Sequence, residues 1–198
     1  MKKENKSPAI FKGYHRFITH EIKTPEAERI ERTILEFLAE PIEKRIGKKA
    51  REEFRAMIKA LDFYKKRDVV FENDVVKIGR KQFALRLAGQ EETSGNITHG
   101  ALGSSSVAVD DNDEQLGNET ERKPYAVTSM QDDTTAIIEV FFSRVEANAT
   151  HEEYGTFIDG TEAANSGTLY SRFITGGWEK VDTETLTVIS QLEVNQPV

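Results

Sequence analysis

The stretch ETLTVISQLEV, residues 184–194, has the pattern that decides the fold. Its side chains alternate, with one interruption, between an apolar face of Leu186, Val188, Leu192 and Val194 and a mainly polar face. Side chains along a strand point to opposite faces in turn, so this pattern predicts a strand with one buried face.

A second stretch, TTAIIEVFFSRV at residues 134–145, is apolar on both faces in its middle. This is typical of a central strand that is covered on both sides. Further segments rich in β-branched and aromatic residues are separated by Gly- and Asn-bearing turns, and they predict strands at 97–102, 124–130, 153–159 and 168–174. The spacing favours an antiparallel β-sandwich or barrel.

Before residue 97 the pattern is helical. Thr24 is a predicted N-cap and Pro25 occupies the first helical position. The apolar face that follows consists of Ile30, Ile34, Phe37 and Leu38. A second helix is predicted from about Lys48 to Lys66, with a stripe of Phe54, Met57, Ile58 and Leu61. A third begins after a cap at Asn73 or Asp74 and ends at Gly89.

The first two helices have stripes too narrow to be stable alone, so they must pack on the β-domain or on sister subunits. Residues 1–23 place Phe11, Tyr14 and Phe17 in a polar segment. Such a segment is either an arm that anchors on another subunit or a strand packed on its own domain.

The predicted fold class is therefore α+β: an N-terminal helical arm or hairpin followed by an antiparallel β-sandwich. Residues 1–72 form the arm and helical docking region, and residues 73–198 form a helix plus the sandwich. We expect residues 73–198 to fold without residues 1–72.

The composition excludes several classes of function. The 198-residue chain has no Cys, which excludes disulfides and thiolate chemistry, and no apolar run of about 20 residues that would span a membrane. Its basic first residues precede no apolar signal segment. Residues 1–96 carry 22 basic and 16 acidic residues, whereas residues 97–198 carry 5 and 18. This asymmetry either steers docking or reflects a solvated Lys/Glu surface; interleaved Glu argues against nucleic-acid binding.

No catalytic constellation stands out. The four His residues form no metal-binding pair of helical spacing, and His151 with Glu152 and Glu153 is better explained as a hydrated turn. The acidic run 110–114 has Gln115 where a calcium loop needs Gly. We therefore expect no enzyme activity, catalytic residue, cofactor or metal.

An ordered series of short motifs does point to a family. It includes Ile97–Gly103, Leu116–Glu119 with Arg122, Glu153–Phe157, Gly167–Arg172 and Trp178–Lys180. In order and spacing, residues 76–194 resemble virion proteins of tailed bacteriophages that are described as tail-fibre or baseplate-associated. The chain departs from that pattern at Gly103-Ser104-Ser105 and at Ala149, which affects local turns.

The resemblance implies a bacteriophage tail structural protein, made in the host cytoplasm, that forms a homo-oligomer and docks to other tail or baseplate proteins. A trimer is expected if the assembly is fibre-like. The alternatives are a module that binds a host receptor or glycan, and a head or neck (collar) component. No membrane or nucleic-acid partner is expected.

Two groups of residues carry these expectations. The candidate assembly and docking residues are Phe11, Tyr14, Phe17, Ile34, Phe37, Phe54 and Leu61. The candidate structural residues are Gly103, Glu119, Arg122, Gly155, Gly167, Arg172, Trp178 and Lys180. Among them Glu119 with Arg122, and Glu153 with Arg172, are expected to form exposed ion pairs, and Trp178 to fill the sandwich interior or, alternatively, to anchor a partner.

Overall fold

The computed structural model describes residues 11–194, which form a mixed fold of three α-helices and nine antiparallel strands. The helices are α1 (Pro25–Leu38), α2 (Lys48–Leu61) and α3 (Lys77–Leu87). The strands are β1 (Phe11–Glu21), β2 (Lys65–Val75), β3 (Ile97–Gly103), β4 (Glu119–Pro124), β5 (Val127–Met130), β6 (Thr135–Phe142), β7 (Thr150–Ile158), β8 (Thr168–Glu179) and β9 (Glu184–Val194). Their order in space is β4-β3-β7-β8-β2-β1-β9-β6-β5.

Strand β2 joins two halves of this array. Most of β2 pairs with β1, whereas only its last residues, Asp74 and Val75, pair with β8. The halves face each other across one core, to which β1 and β9 contribute Phe17 and Val188 and β7 contributes Tyr154. Two layers around a shared apolar interior are compatible with the predicted sandwich.

Strand β1 lies in the middle of the array and corrects the predicted arm. It pairs with β2 on one side and with β9 along its whole length on the other. Sequence periodicity did not reveal this strand because two of its buried side chains, His15 and Thr19, are polar. Since β1 and β2 belong to the same array as the later strands, the chain does not divide at residue 72 as predicted.

The first two helices form a layer on the outside of β5 and β6. The predicted cap is confirmed, because the Thr24 hydroxyl accepts a hydrogen bond from the amide of Ala27 at 3.1 Å. Ile34 and Phe54 pack against Phe141 of β6 in one apolar cluster. Of the two partners predicted for these stripes, the chain's own β-domain is the one observed.

Several predicted boundaries are wrong. Helix α2 ends at Leu61 because residues 62–64 form a 3₁₀ turn and Lys65 begins β2. Helix α3 begins after Val76, which provides no side-chain cap. It ends at Leu87, and Gly89 follows the C-cap residue Ala88 with a positive φ of 68°, as a helix-terminating glycine does. The predicted strand 124–130 is interrupted: Pro124 ends β4, which begins at Glu119, and residues 127–130 form β5.

Candidate functional site

The predicted docking residues lie mostly inside the chain's own core. Phe17, Ile34, Phe54 and Leu61 are 0% exposed, so they are unavailable to another subunit. Phe37, Phe11 and Tyr14 are half-buried; Phe37 packs on Phe54 at 5.9 Å between ring centroids, and Phe11 packs on Phe83 at 5.0 Å. The assignment to docking is corrected for the four fully buried residues, which are covered by the chain's own sheets and helices.

Four of the residues predicted to be structural or to pair with them form two buried ion pairs that hold loops on the sheet, and we call each pair a clasp. In the first, Glu153 of β7 and Arg172 of β8 pair at 2.7 Å between Oε2 and Nε. Both side chains are at most 2% exposed, so the expectation of an exposed pair is wrong. Arg172 also binds Asp113 at 2.7 Å and the carbonyl oxygen of Val107 at 3.0 Å, which connects the pair to the loop over residues 104–118.

The loop reaches the same carboxylate through its backbone. The amides of Ser105, Gly117 and Asn118 donate to Glu153 at 3.2, 2.9 and 2.8 Å. Gly103 permits this approach, because a Cβ there would lie 2.5 Å from Glu153 Oε1. A buried carboxylate needs this many donors to be stable, so the Glu153–Arg172 clasp fixes the 104–118 loop on the sheet.

The second clasp is the pair of Glu119 and Arg122, joined at 2.6 Å and at most 3% exposed. Arg122 also donates to the carbonyl oxygen of Ser166 at 3.0 Å and lies 4.1 Å above the ring of Phe157. The loop that it holds turns through Gly167, whose φ of 76° favours glycine. The charged groups of both clasps are therefore bound to loop atoms of the same chain.

Trp178 and Lys180 follow in β8 and the turn after it. Trp178 is 4% exposed and packs on Phe17, so the interior position is confirmed and the partner-anchor alternative is wrong. Lys180 is 1% exposed, and its Nζ donates to the carbonyl oxygen of Glu146 at 2.6 Å and to Asn148 Oδ1 at 2.8 Å. Burial lowers the pKa of Lys180 to about 8.

A polar group also lies within the core. His15 contacts the hydroxyl of Ser190 at 2.7 Å and the amide nitrogen of Asn73 at 2.8 Å, and its ring stacks on Phe173. Burial lowers the pKa of His15 to about 3, so the ring is neutral at ordinary pH.

The residues considered for metal binding have local partners. The Nε2 of His151 contacts the carbonyl oxygen of Ala147 at 2.8 Å, and Asp110 accepts from the amide of Asn112 at 2.9 Å. Among the side chains that the structure describes, no three of His, Asp or Glu are grouped closely enough to hold a metal ion.

The surface feature that the sequence did not single out is the β2 edge, which we define as residues 65–73 of β2. On the side away from β1, this segment has no strand partner among residues 11–194, because pairing with β8 starts only at Asp74. Val69 and Val70 are 40% and 59% exposed. Consecutive strand residues point to opposite faces, so exposure of both is typical of an open edge.

The charges along the β2 edge are distributed unevenly between its two ends. Lys65, Lys66 and Arg67 are basic at its start, and Glu72 is acidic near its end. When a second copy pairs antiparallel about a two-fold axis at Val69, Lys66 of each strand lies opposite Glu72 of the other. Opposite charges across a strand pair stabilise it, so the edge is complementary to itself.

Comparison with known proteins supplies no family for this arrangement: no family model, no curated protein and no solved structure matches the chain. No helix between residues 11 and 194 is long and apolar enough to cross a membrane.

Proposed function

We propose that this protein is a non-enzymatic structural protein that assembles with copies of itself through the β2 edge. The observation that carries the proposal is the open segment of β2 with Val69 and Val70 exposed on opposite faces. Unpaired strand edges with apolar side chains are sites of strand addition.

The use of the charged side chains supports the same proposal. Glu153, Arg172, Glu119 and Arg122 hold loops in place, and Glu139 holds helix α2 through Arg55 at 2.6 Å. Groups that are satisfied by structural partners are poor candidates for acid–base chemistry, which requires a titratable group that can reach a substrate.

The setting that we propose is the virion of a tailed bacteriophage, as a tail-fibre or baseplate-type adaptor made in the host cytoplasm. This rests on the resemblance of the motif series, above all Glu153–Phe157 and Gly167–Arg172. The residues of that series form the Glu153–Arg172 clasp, which is the kind of loop attachment that a rigid assembly subunit requires. The partners would be other tail or baseplate proteins.

The receptor- or glycan-binding alternative has less support. It requires exposed aromatic side chains, and its four candidates are all at most 7% exposed: Tyr125, Tyr154, Tyr170 and Trp178. A head or neck position differs from a tail position only in the partner, and cross-linking within purified particles distinguishes the two.

The direct test uses the absence of Cys from the chain. In a two-fold antiparallel pair centred on Val69, residue 69 lies opposite its own copy and Lys66 lies opposite Glu72. We expect Val69→Cys to form a disulfide-linked dimer under mild oxidation, because opposed Cβ atoms in such a pair are about 4.5–5.5 Å apart.

The matched control is Val145→Cys, because Val145 is 77% exposed and lies in the turn after β6, away from β2. Equal cross-linking of Val69→Cys and Val145→Cys, or none of Val69→Cys at concentrations where the protein associates, would show that assembly does not use the β2 edge.

A further inference from the structure

A cleft opens between the two layers at the end of the array where β1 begins and β9 ends. Its volume is about 650 Å³. Ile138, Leu192 and Tyr170 line its interior and are at most 7% exposed, whereas Ile46 and Met130 line its mouth and are more than half exposed. We call this space the end cleft.

The end cleft is built by elements of both layers. Strands β6 and β9 contribute Ile138 and Leu192, β3 and β8 contribute Ile97 and Tyr170, and Phe83 of α3 closes one side. These residues also form one apolar cluster. The walls are therefore held by the fold itself, and the volume lies within the range of about 300–1,000 Å³ that is usual for small-molecule sites.

The charge of the lining decides which ligand fits. Among the described residues that line the cleft, Asp133 is the one charged residue, and no Lys or Arg is present. A buried anionic group would therefore have no cationic partner, and the exposed carboxylate of Asp133 would repel it. Asn96 and Thr128 add neutral polar groups to the lining.

We propose that the end cleft is a binding site for a small, mainly apolar molecule that is neutral or carries one positive charge. Its apolar body would lie against Ile138, Leu192 and Tyr170, and a polar or cationic end would lie towards Asp133. The cleft does not include the β2 edge, so this proposal is independent of the proposed assembly.

The test compares two fluorescent probes with the same aromatic body. N-phenyl-1-naphthylamine is neutral, and 1-anilinonaphthalene-8-sulfonate carries a sulfonate. We expect saturable binding of the neutral probe, one molecule per chain, and at least about tenfold weaker binding of the sulfonate, because its charge is unpaired in the cleft. Asp133→Asn should narrow that difference while leaving the affinity of the neutral probe within about twofold.

Two variants locate the probe. Ala136→Trp fills the cleft from β6 and Met130→Trp narrows its mouth; both residues line it, and Met130 is 57% exposed, so its replacement leaves the core intact. Each substitution should lower the affinity for the neutral probe at least about tenfold. Ala149→Trp, at an exposed turn, should not.

The outcomes are distinct. Absence of saturable binding, equal affinity for both probes, or indifference to both cleft variants would overturn the proposal. A neutral-probe affinity that falls as the protein associates would also overturn it, because a second copy would then occupy the cleft. Val70→Lys at the β2 edge should leave probe binding unchanged, so failure of the cleft and failure of assembly are separable.

Discussion

Glu153 and Arg172 form an ion pair that is almost completely removed from solvent, with 2.7 Å between Oε2 and Nε and a loop of the same chain packed over it. Replacing Glu153 leaves the Arg172 guanidinium buried and short of a partner, which is more damaging than loss of an exposed pair.

We expect Glu153→Gln to lower the free energy of unfolding by about 3 kcal/mol. The amides of Gly117 and Asn118, which donate to this carboxylate, should also exchange their hydrogens faster. Denaturant unfolding and hydrogen exchange measure the two effects. Glu162→Gln, at an exposed position, is the control and should change stability by less than about 0.5 kcal/mol. Equal stability of the two variants would contradict the role of the clasp.

Removal of residues 1–72 should abolish folding. The deletion takes away β1, which lies between β2 and β9, together with most of β2 and the core residue Phe17. It also exposes the side of β9 that β1 covers, with Val188 at the core. Circular dichroism and denaturant unfolding of residues 73–198 should show no cooperative transition. A cooperative transition with β-type ellipticity would restore the division predicted from the sequence.

His15 should make the protein sensitive to acid. Its pKa is about 3 in the fold and 6.5 in an unfolded chain, so between these values only the unfolded chain binds the proton. The contribution of His15 is therefore complete above pH 6.5 and declines as pH falls towards 3, by at most about 1.4 kcal/mol per unit. Relative to His15→Gln, the wild type should lose stability between pH 6.5 and 4; parallel stability curves would contradict this.

Lys180 should make the free energy of unfolding depend on pH in the alkaline range. Its pKa is about 8 in the fold against 10.5 unfolded, so between those values the unfolded chain retains a proton that the folded chain has released. The free energy of unfolding of the wild type should consequently rise with pH relative to Lys180→Gln between pH 8 and 10. Lys48→Gln, at a side chain that is 84% exposed, is the control for loss of a lysine charge. A constant difference for Lys180→Gln would contradict the lowered pKa.

The sequence predicts correctly those helices and strands whose pattern lies within the element itself. Strand β9 lies where its alternation predicts a strand, although its polar face, with Thr185 and Thr187, is buried as well. Helix α1 begins where Thr24 and Pro25 specify. For the segment that forms β1, the sequence leaves an arm and a packed strand equally open, because its buried His15 and Thr19 are stabilised by surroundings that distant segments supply. The Glu153–Arg172 pairing was predicted, but its burial was not, since the covering loop is remote in sequence from both residues.

Which apolar side chains are exposed on the surface is harder still to predict from the sequence, because it depends on how the strands are ordered. Val69 and Val70 are part of a short apolar segment in the sequence, but only the strand order shows that β2 leaves one side of them unpaired. The docking residues were misassigned for the converse reason: an apolar stripe such as Ile34 and Phe54 has the same sequence pattern whether its own sheet or another subunit covers it.

The central claim is assembly through the β2 edge, and the absolute mass in solution, measured by light scattering during size-exclusion chromatography, tests it most directly. Self-complementary pairing predicts a dimer or an even multiple of the 22.4 kDa chain, and Val70→Lys should shift it to monomer while Val145→Lys does not. A trimer, as the family resemblance favours, would require β2 to pair with a different edge of its neighbour. A wild-type protein that remains monomeric at every concentration tested would contradict the claim.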